Sequence, residues 1–427
     1  MTTEISPRVT RGVTRIVAAA KESASSIAQA STQVKNEALA AIADALEANV
    51  DDILAANAED IETARKRETP ESLIDRLTLS EERVRGIAGA VREVIGLPDP
   101  VGVIRHGQTM PNGMRVSQEA VPVGVVGAIY EARPNVTVDI ASLALKSGNA
   151  VVLRGGSAAR SSNTLLISLL RQAVASAGLP EEVVSGIDEF GRDGTVVLMQ
   201  ARDHVDLLIP RGGAELIARV VHESLVPVIE TGVGNVHMFI DQSAPVRMAT
   251  DLVLNSKTHR PSVCNALENL LVHEKAAKRV LPKILGALHE AGVVVRADKE
   301  IESFAPEGMR IRRVTRRDWA KEYLDLELAV RLVSSVDEAI EHIHAYTSGH
   351  TEVIVTNDLA NADTFVQAVD AAAVGVNVST RFTDGGQLGL GAGVGISTQK
   401  LHARGPMGLE ALTTTKWVMR GNGQIRT

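Results

Sequence analysis

The stretch Val121–Gly156, VPVGVVGAIYEARPNVTVDIASLALKSGNAVVLRGG, decides the fold. Two short apolar, β-branched runs, VGVVGAI at 123–129 and AVVLR at 150–154, bracket a segment at 134–147 whose apolar residues recur at helical spacing. Strand, helix and strand in so few residues is the pattern of two parallel strands joined by a helical crossover. The texture recurs towards the C-terminus, with strands at VDLLIP (205–210) and VPVIE (226–230) and helices at about 160–177, 193–201 and 212–222. Such alternation predicts a parallel α/β sheet.

Two strand-to-helix junctions share a pattern, VVLRGGSAAR at 151–160 and LLIPRGGAEL at 207–216. Glycines there let backbone N–H groups approach an anion, and the helix N-terminus adds partial positive charge. Nucleotide phosphates suit a crevice at the carboxyl ends of the strands. Either turn alone is equally well an ordinary βα connection. No G-x-G-x-x-G occurs in the chain, so a nicotinamide cofactor would need another loop design.

Upstream, the first hundred residues are Ala-rich with helical spacing, and from Val101 the texture turns to β, with Pro111-Asn112-Gly113 marking a hairpin arm. Downstream, a second α/β region runs from Met238 to Val374, with a helix at 245–256, a strand at 267–273, a helix at 275–291 and a strand–helix–strand unit beginning at LAVRLV. The Thr-rich tail contains Asn422-Gly423, a second hairpin candidate. Arm and tail offer strand edges that a lone subunit covers poorly, which predicts a homo-oligomer.

Composition limits the function. The chain has 427 residues, 44% hydrophobic, enough for two or three domains with a sizeable core. No apolar leader and no run of about 18 apolar residues stands in the sequence, so neither export nor membrane insertion is expected. With 52 acidic against 45 basic residues, a net charge of -7 and 2% aromatics, no nucleic-acid surface is expected. One cysteine excludes an intrachain disulfide and any CxxC metal motif, so the expectations are a reducing, cytoplasmic setting and no metal.

That cysteine, Cys264, lies in KTHRPSVCNALENLLVHE, Lys257–Glu274. A lone cysteine is more often an inert buried hydrophobe. Here a polar turn with His259 and Arg260 precedes it, and nearby cations favour the thiolate, whose natural use is attack on an acyl carbon. A cysteine hydrolase would use the same atom but leave the paired Arg-Gly-Gly loops unexplained.

These blocks, with DLLIPRGGAELI, THRPSVCNALENLLVH, AYTSGHTEVIVT and GISTQKLHARGPMGLEALTTTKWVMRGNGQIR, resemble the gamma-glutamyl phosphate reductase family, a divergent branch of the aldehyde dehydrogenase superfamily. The resemblance covers essentially the whole chain in family order. It implies an α/β, aldehyde dehydrogenase-like fold: a Rossmann-like cofactor domain (1–104 and 120–237), an α/β catalytic domain (238–374) and a small β oligomerisation element (105–119 and 398–427). It implies NADPH-dependent reduction of L-glutamyl 5-phosphate to L-glutamate 5-semialdehyde and phosphate through a cysteine thioester, the second step of proline biosynthesis.

Carried over residue by residue, the resemblance makes Cys264 the nucleophile, with its backbone N–H and the Asn135 amide as oxyanion donors; a helix N-cap is the other explanation for Asn135. Arg154, Gly155, Gly156 and Ser157 fall on the cofactor loop, where NAD-preferring relatives resemble Lys-x-x-Glu. A guanidinium without that carboxylate favours a 2′-phosphate, hence NADPH/NADP+. Arg211, Gly212 and Gly213 fall on the pyrophosphate side, and Glu322 on the nicotinamide ribose. Glu230 matches the glutamate that activates the deacylating water in many aldehyde dehydrogenases. In a reductase that role would waste the thioester, so Glu230 is expected to adjust the thiol, to contact the nicotinamide or simply to end a strand. A semialdehyde-oxidising dehydrogenase would keep the fold and use Glu230 with water. Arg381 and Asp384, in NVSTRFTDGGQLGLG, and His350, in AYTSGHTEV, are expected at the substrate, although relatives often have glycine where Thr347 stands. His237 is expected to be structural, and association with the glutamate 5-kinase that makes the unstable substrate is a further expectation.

Overall fold

The computed structural model describes residues 5–391 and 393–426; residues 1–4, 392 and 427, and with them the outermost ends of the segments predicted above, lie outside it. The chain divides into two compact units, Met1–Thr231 with Leu390–Gly395 and Met407–Thr427, and Gly232–Gly389 with Ile396–Pro406.

The first unit begins with helices α1 (Pro7–Gln29), α2 (Thr32–Ala48), α3 (Val50–Lys66), α4 (Glu71–Leu77) and α5 (Glu81–Gly96). Ser6, Ser31 and Ser80 cap α1, α2 and α5 by accepting from the backbone N–H of Arg8, Val34 and Arg83. The apolar stripe of α1, Val13, Val17, Ala20, Ala24 and Ile27, is buried. A hairpin follows, β1 (Ile104–Thr109) and β2 (Arg115–Pro122), with Gly113 in its tip at φ +84° as the turn requires. Then come β3 (Val125–Tyr130), α6 (Pro134–Lys146), β4 (Ala150–Arg154), α7 (Arg160–Ser176), β5 (Val184–Gly186), α8 (Gly191–Gln200), β6 (Leu207–Arg211) and α9 (Ala214–Glu223). The sheet order is β5-β4-β3-β6, all parallel. Burial of every residue of β3 explains a continuous apolar run in place of alternation. Because β4 and β6 flank β3, the loops after all three open on the carboxyl edge at the point where strand order reverses.

Two expectations need correction here. The strand expected at 226–230 is reduced to one bridge, Val228 with Leu208, because Pro227 has no N–H to give a ladder and only its carbonyl is used, accepting from Leu208. The hairpin expected at Asn422-Gly423 does not form: the C-terminal strand Thr413–Arg420 runs antiparallel along β2 over eight paired positions. Beyond it, Gln424 donates to the Asn112 carbonyl (3.0 Å), folding the chain back onto the hairpin tip instead of into a new strand. Arm and tail thus form one three-stranded sheet in which β1 is an open, exposed edge.

The second unit contains β7 (Val236–Ile240), α10 (Val246–Thr258), β8 (Leu267–His273), α11 (Glu274–Glu290), β9 (Val294–Ala297), α12 (Lys299–Glu302), β10 (Arg312–Arg313), β11 (Glu327–Val333), α13 (Val336–Tyr346), β12 (Thr351–Val355), α14 (Leu359–Ala368) and β13 (Ala373–Val376). Its parallel sheet has the order β10-β9-β11-β8-β7-β12-β13. One apolar core joins the sheet to α10 and α11, and another joins it to α13 and α14. Among the described residues no helix is long and apolar enough to cross a membrane.

Candidate active site

In the second unit, the candidate residues collect at the amino ends of parallel strands. Gly234 and Asn235 precede β7, Cys264 precedes β8, Glu322 precedes β11, and Thr347–His350 precede β12. Cys264 is partly buried on a tight turn between α10 and β8. The turn is anchored on both sides: the Ala266 N–H donates to the Val263 carbonyl (3.0 Å), the Asn265 amide donates to the Thr383 carbonyl (2.9 Å), and the Thr380 hydroxyl donates to the Asn265 carbonyl (2.6 Å).

Gly234 packs directly on this turn. A Cβ placed on it would stand 1.6 Å from the Cys264 carbonyl oxygen, so only glycine fits. Its N–H donates to Glu322 Oε1 (2.8 Å), so the nucleophile candidate and the cofactor-ribose candidate meet over one glycine. Asn235 extends the support, its N–H donating to Ser348 Oγ (2.9 Å) and its amide to the Tyr346 (2.6 Å) and Trp319 (2.8 Å) carbonyls.

Arg381 comes from a distant part of the sequence to face Cys264. Burial holds its guanidinium below the ordinary pKa, while the opposite charges of Asp384 and Cys264 pull it back up. Its Nε lies 3.4 Å from His259 Nδ1, and its Nη1 is buried without a hydrogen-bond partner. A desolvated cation with an unused donor beside a thiol is suited to an anionic group of a ligand.

The other two substrate candidates are differently placed. Asp384 is exposed and closes its own turn, accepting from the Gly386 N–H (2.9 Å). His350 is fully buried, its Nδ1 2.8 Å from the Thr351 hydroxyl, and burial pushes it down to about 4, so it is a neutral core ring with no surface for a ligand. His237 is also fully buried, stacked edge-on against His342; its Nδ1 lies 3.0 Å from Glu352 but outside hydrogen-bond geometry.

In the first unit three loops carry the remaining candidates. After β4, the Arg154 guanidinium donates to the Gly155 carbonyl (2.9 Å), and its Nε is buried without a partner. The Gly155 N–H donates to Asp188 (2.6 Å), and Asn163 Nδ2 lies 1.9 Å from where a Cβ of Gly155 would be. Gly156 lets the loop approach Ala132 and Glu131, whose backbone lies 3.1 to 3.3 Å from its own Cβ position. Burial raises Asp188, against hydrogen bonds from Gly155 and Asn163 and the charges of Arg154 and Arg160. Sequence reasoning missed Asp188, which has no local pattern to mark it.

After β6, the Gly213 N–H donates to Glu131 Oε1 (3.1 Å), so a carboxylate of the chain itself stands at the start of α9. A Cβ on Gly212 would lie 2.6 Å from the Glu131 carboxyl carbon, so a side chain there would move the Glu131 carboxylate off the start of α9. After β3, Asn135 is the second residue of α6; the N-cap is Arg133, so capping does not explain Asn135. Its amide donates to Asp139 (2.9 Å), which desolvation pushes up to about 6 against that hydrogen bond and the charge of Arg211. Glu230 is partly buried in the extended segment past the Val228 bridge.

Comparison with known proteins agrees with this architecture. The model of the aldehyde dehydrogenase family matches residues 3–302 and 328–418. The chain is 55% identical to the gamma-glutamyl phosphate reductase of Kineococcus radiotolerans over 419 residues (98% of this chain, 97% of the relative) and 53% identical to that of Thermobifida fusca over 418 residues (98% and 99%). The crystal structure of gamma-glutamyl phosphate reductase from Thermotoga maritima superimposes with a TM-score of 0.94 at 46% identity, covering 97% of this chain and all of that one. The chain therefore belongs to the aldehyde dehydrogenase family and, within it, to the gamma-glutamyl phosphate reductases, oxidoreductases that reduce glutamyl phosphate in proline biosynthesis.

Proposed function

We propose that the chain reduces L-glutamyl 5-phosphate to L-glutamate 5-semialdehyde with NADPH, through a thioester on Cys264. The observation that carries this reading is the placement beside the sole cysteine of Arg381, a half-buried guanidinium whose buried Nη1 has no hydrogen-bond partner. A neighbouring cation favours the thiolate, and the spare donor suits an oxygen of the acyl phosphate. Cys264 Sγ attacks the acyl carbon, the C–O bond to phosphate breaks, and phosphate departs with the bonding pair without needing a strong acid. The backbone N–H of Cys264 and the Asn135 amide are the proposed oxyanion donors. When bound, NADPH supplies the hydride that reduces the acyl carbon. Collapse of the oxyanion breaks the C–S bond and returns the thiolate, so one acyl phosphate, one NADPH and one proton give aldehyde, NADP+ and phosphate.

The chain fits such a cofactor. The Gly155-Gly156 loop and Arg154, with a buried Nε lacking a protein partner, would take the adenosine 2′-phosphate with Ser157, which adds no carboxylate at its own position, while Asp188 is engaged by the Gly155 N–H. Arg211, Gly212 and Gly213 are proposed for the pyrophosphate side, and Glu322, held by the Gly234 N–H, for the nicotinamide ribose. Glu230 remains a proposed contact of the nicotinamide, and Asp384 acts on the substrate through its charge on Arg381. A catalytic thiol that must stay reduced suits the cytoplasm. The exposed β1 edge is the proposed homo-oligomer contact, and handover of the unstable substrate from glutamate 5-kinase belongs to the same reading.

The test follows NADP+ reduction with glutamate semialdehyde, with and without phosphate, in the parent and in Cys264→Ala. Phosphate-dependent turnover lost in the variant is expected; turnover retained in the variant overturns the mechanism.

A further inference from the structure

Helix α10 and strand β8 flank the Cys264 turn, and across its base lies a buried ion pair whose members are separated by ten residues of sequence and that the chemistry above does not use. Lys257, in the last turn of α10, and Glu268, the second residue of β8, are 2.8 Å apart with neither side chain exposed. Isolated, each charge would be costly to bury; together they tie the incoming and outgoing ends of the turn.

Glu268 makes a second link. Its Oε1 accepts from the Leu324 N–H (3.3 Å), and Leu324 is one of three described non-glycine residues with positive φ (+56°), a conformation that needs outside support. Leu324 stands two residues beyond Glu322, whose carboxylate accepts from Gly234, the glycine seated on the Cys264 carbonyl. The aromatic ring of Tyr323 completes the enclosure, its centroid 6.0 Å from Lys257 Nζ. One ion pair thus joins the two ends of the nucleophile turn and the loop of the ribose carboxylate.

We propose that Lys257–Glu268 is a positioning clasp that sets the Cys264 turn and the Glu322 loop in register with each other. Neither residue touches substrate; both act through the backbone they hold. This rests on the reading of Cys264 as nucleophile, and the test separates the two. Because Cys264 is the only thiol in the chain, its alkylation by iodoacetamide as a function of pH reports the turn directly, without turnover.

In the variant Lys257→Met/Glu268→Met, which replaces the charges by apolar groups of similar length, we expect an unfolding midpoint at or above the parent's. In the same variant kcat should fall about tenfold or more, from loss of positioning, with KM nearly unchanged and the alkylation profile displaced. Glu268→Gln, which keeps the shape and the acceptor for Leu324, should show the same kcat loss, and Lys257→Arg should retain more activity than Lys257→Met. Parental kcat and a parental alkylation profile in either the folded double variant or Glu268→Gln overturn the clasp. Turnover surviving in Cys264→Ala, assayed alongside, would instead overturn the thioester reading.

Discussion

The carbonyl of Cys264 occupies the space where a side chain of Gly234 would begin, 1.6 Å from that Cβ position. Two segments thirty residues apart in sequence are therefore locked backbone to backbone, and the Gly234 N–H that points away is held by Glu322. Gly234→Ala must displace the cysteine turn. The expected outcome is a loss of about 2 kcal/mol in stability, as for other overpacked sites, and a far larger fractional loss of turnover. Thermal unfolding and steady-state kinetics on the same preparation check it.

Removing the cation beside the thiol separates charge from packing. In Arg381→Met the iodoacetamide profile of Cys264 should move up by about one pH unit, the usual size for loss of an adjacent opposite charge. KM for the acyl phosphate should rise, and Arg381→Lys should recover part of both effects. An unmoved profile would remove the basis for pairing these two residues.

Cofactor choice is expected to lie in the loop after β4. Arg154→Ala together with Ser157→Glu removes the guanidinium and adds a carboxylate. The ratio of kcat/KM for NADPH over NADH should fall about tenfold or more, since a phosphate loses its partner and gains a repulsion. An unchanged ratio would place 2′-phosphate recognition elsewhere.

Acid should destabilise the second unit through its buried histidines. Burial holds His342 at about 3 and His350 at about 4, below the ordinary 6.5. The unfolded chain therefore takes up these protons first, so the stability present above about pH 6.5 is lost as pH falls towards 4, by a few kcal/mol at most per ring. Asp139 and Glu268, both raised by burial, contribute with the opposite sign, so the test is differential. The fall in unfolding temperature between pH 7 and 5 should be shallower in His350→Asn than in the parent, whatever the variant's stability at pH 7.

A structural prediction concerns the first unit. Asp60 on α3 is buried and accepts from the Ser161 N–H (3.0 Å), the Ser162 N–H (2.8 Å) and the Ser162 hydroxyl (2.7 Å), pinning the first turn of α7. Asp60→Ala leaves these donors without their acceptor and should cost about 3 kcal/mol, read from denaturant unfolding.

The strand–helix–strand alternation of residues 121–156, its recurrence in the second α/β region and the position of the sole cysteine in 257–274 were legible in the sequence, because β-branched runs, helical spacing and turn chemistry act between near neighbours in the chain. Arg381 could be named but not placed; only folding brings it from beyond β13 to Cys264 and strips its water. Glu131 at the start of α9, Asp188 beneath Gly155 and the Lys257–Glu268 pair carry no local signature, since each is defined by what a folded interior leaves within hydrogen-bonding distance. The second hairpin failed for the same reason, its local turn signal overruled by the long-range pairing of the tail with β2, whereas the strand at 226–230 was limited by a feature the sequence does carry, a proline without an N–H. What a side chain is follows from the sequence, but its charge state, its partner and its use depend on desolvation and contacts that exist only once remote segments are packed together.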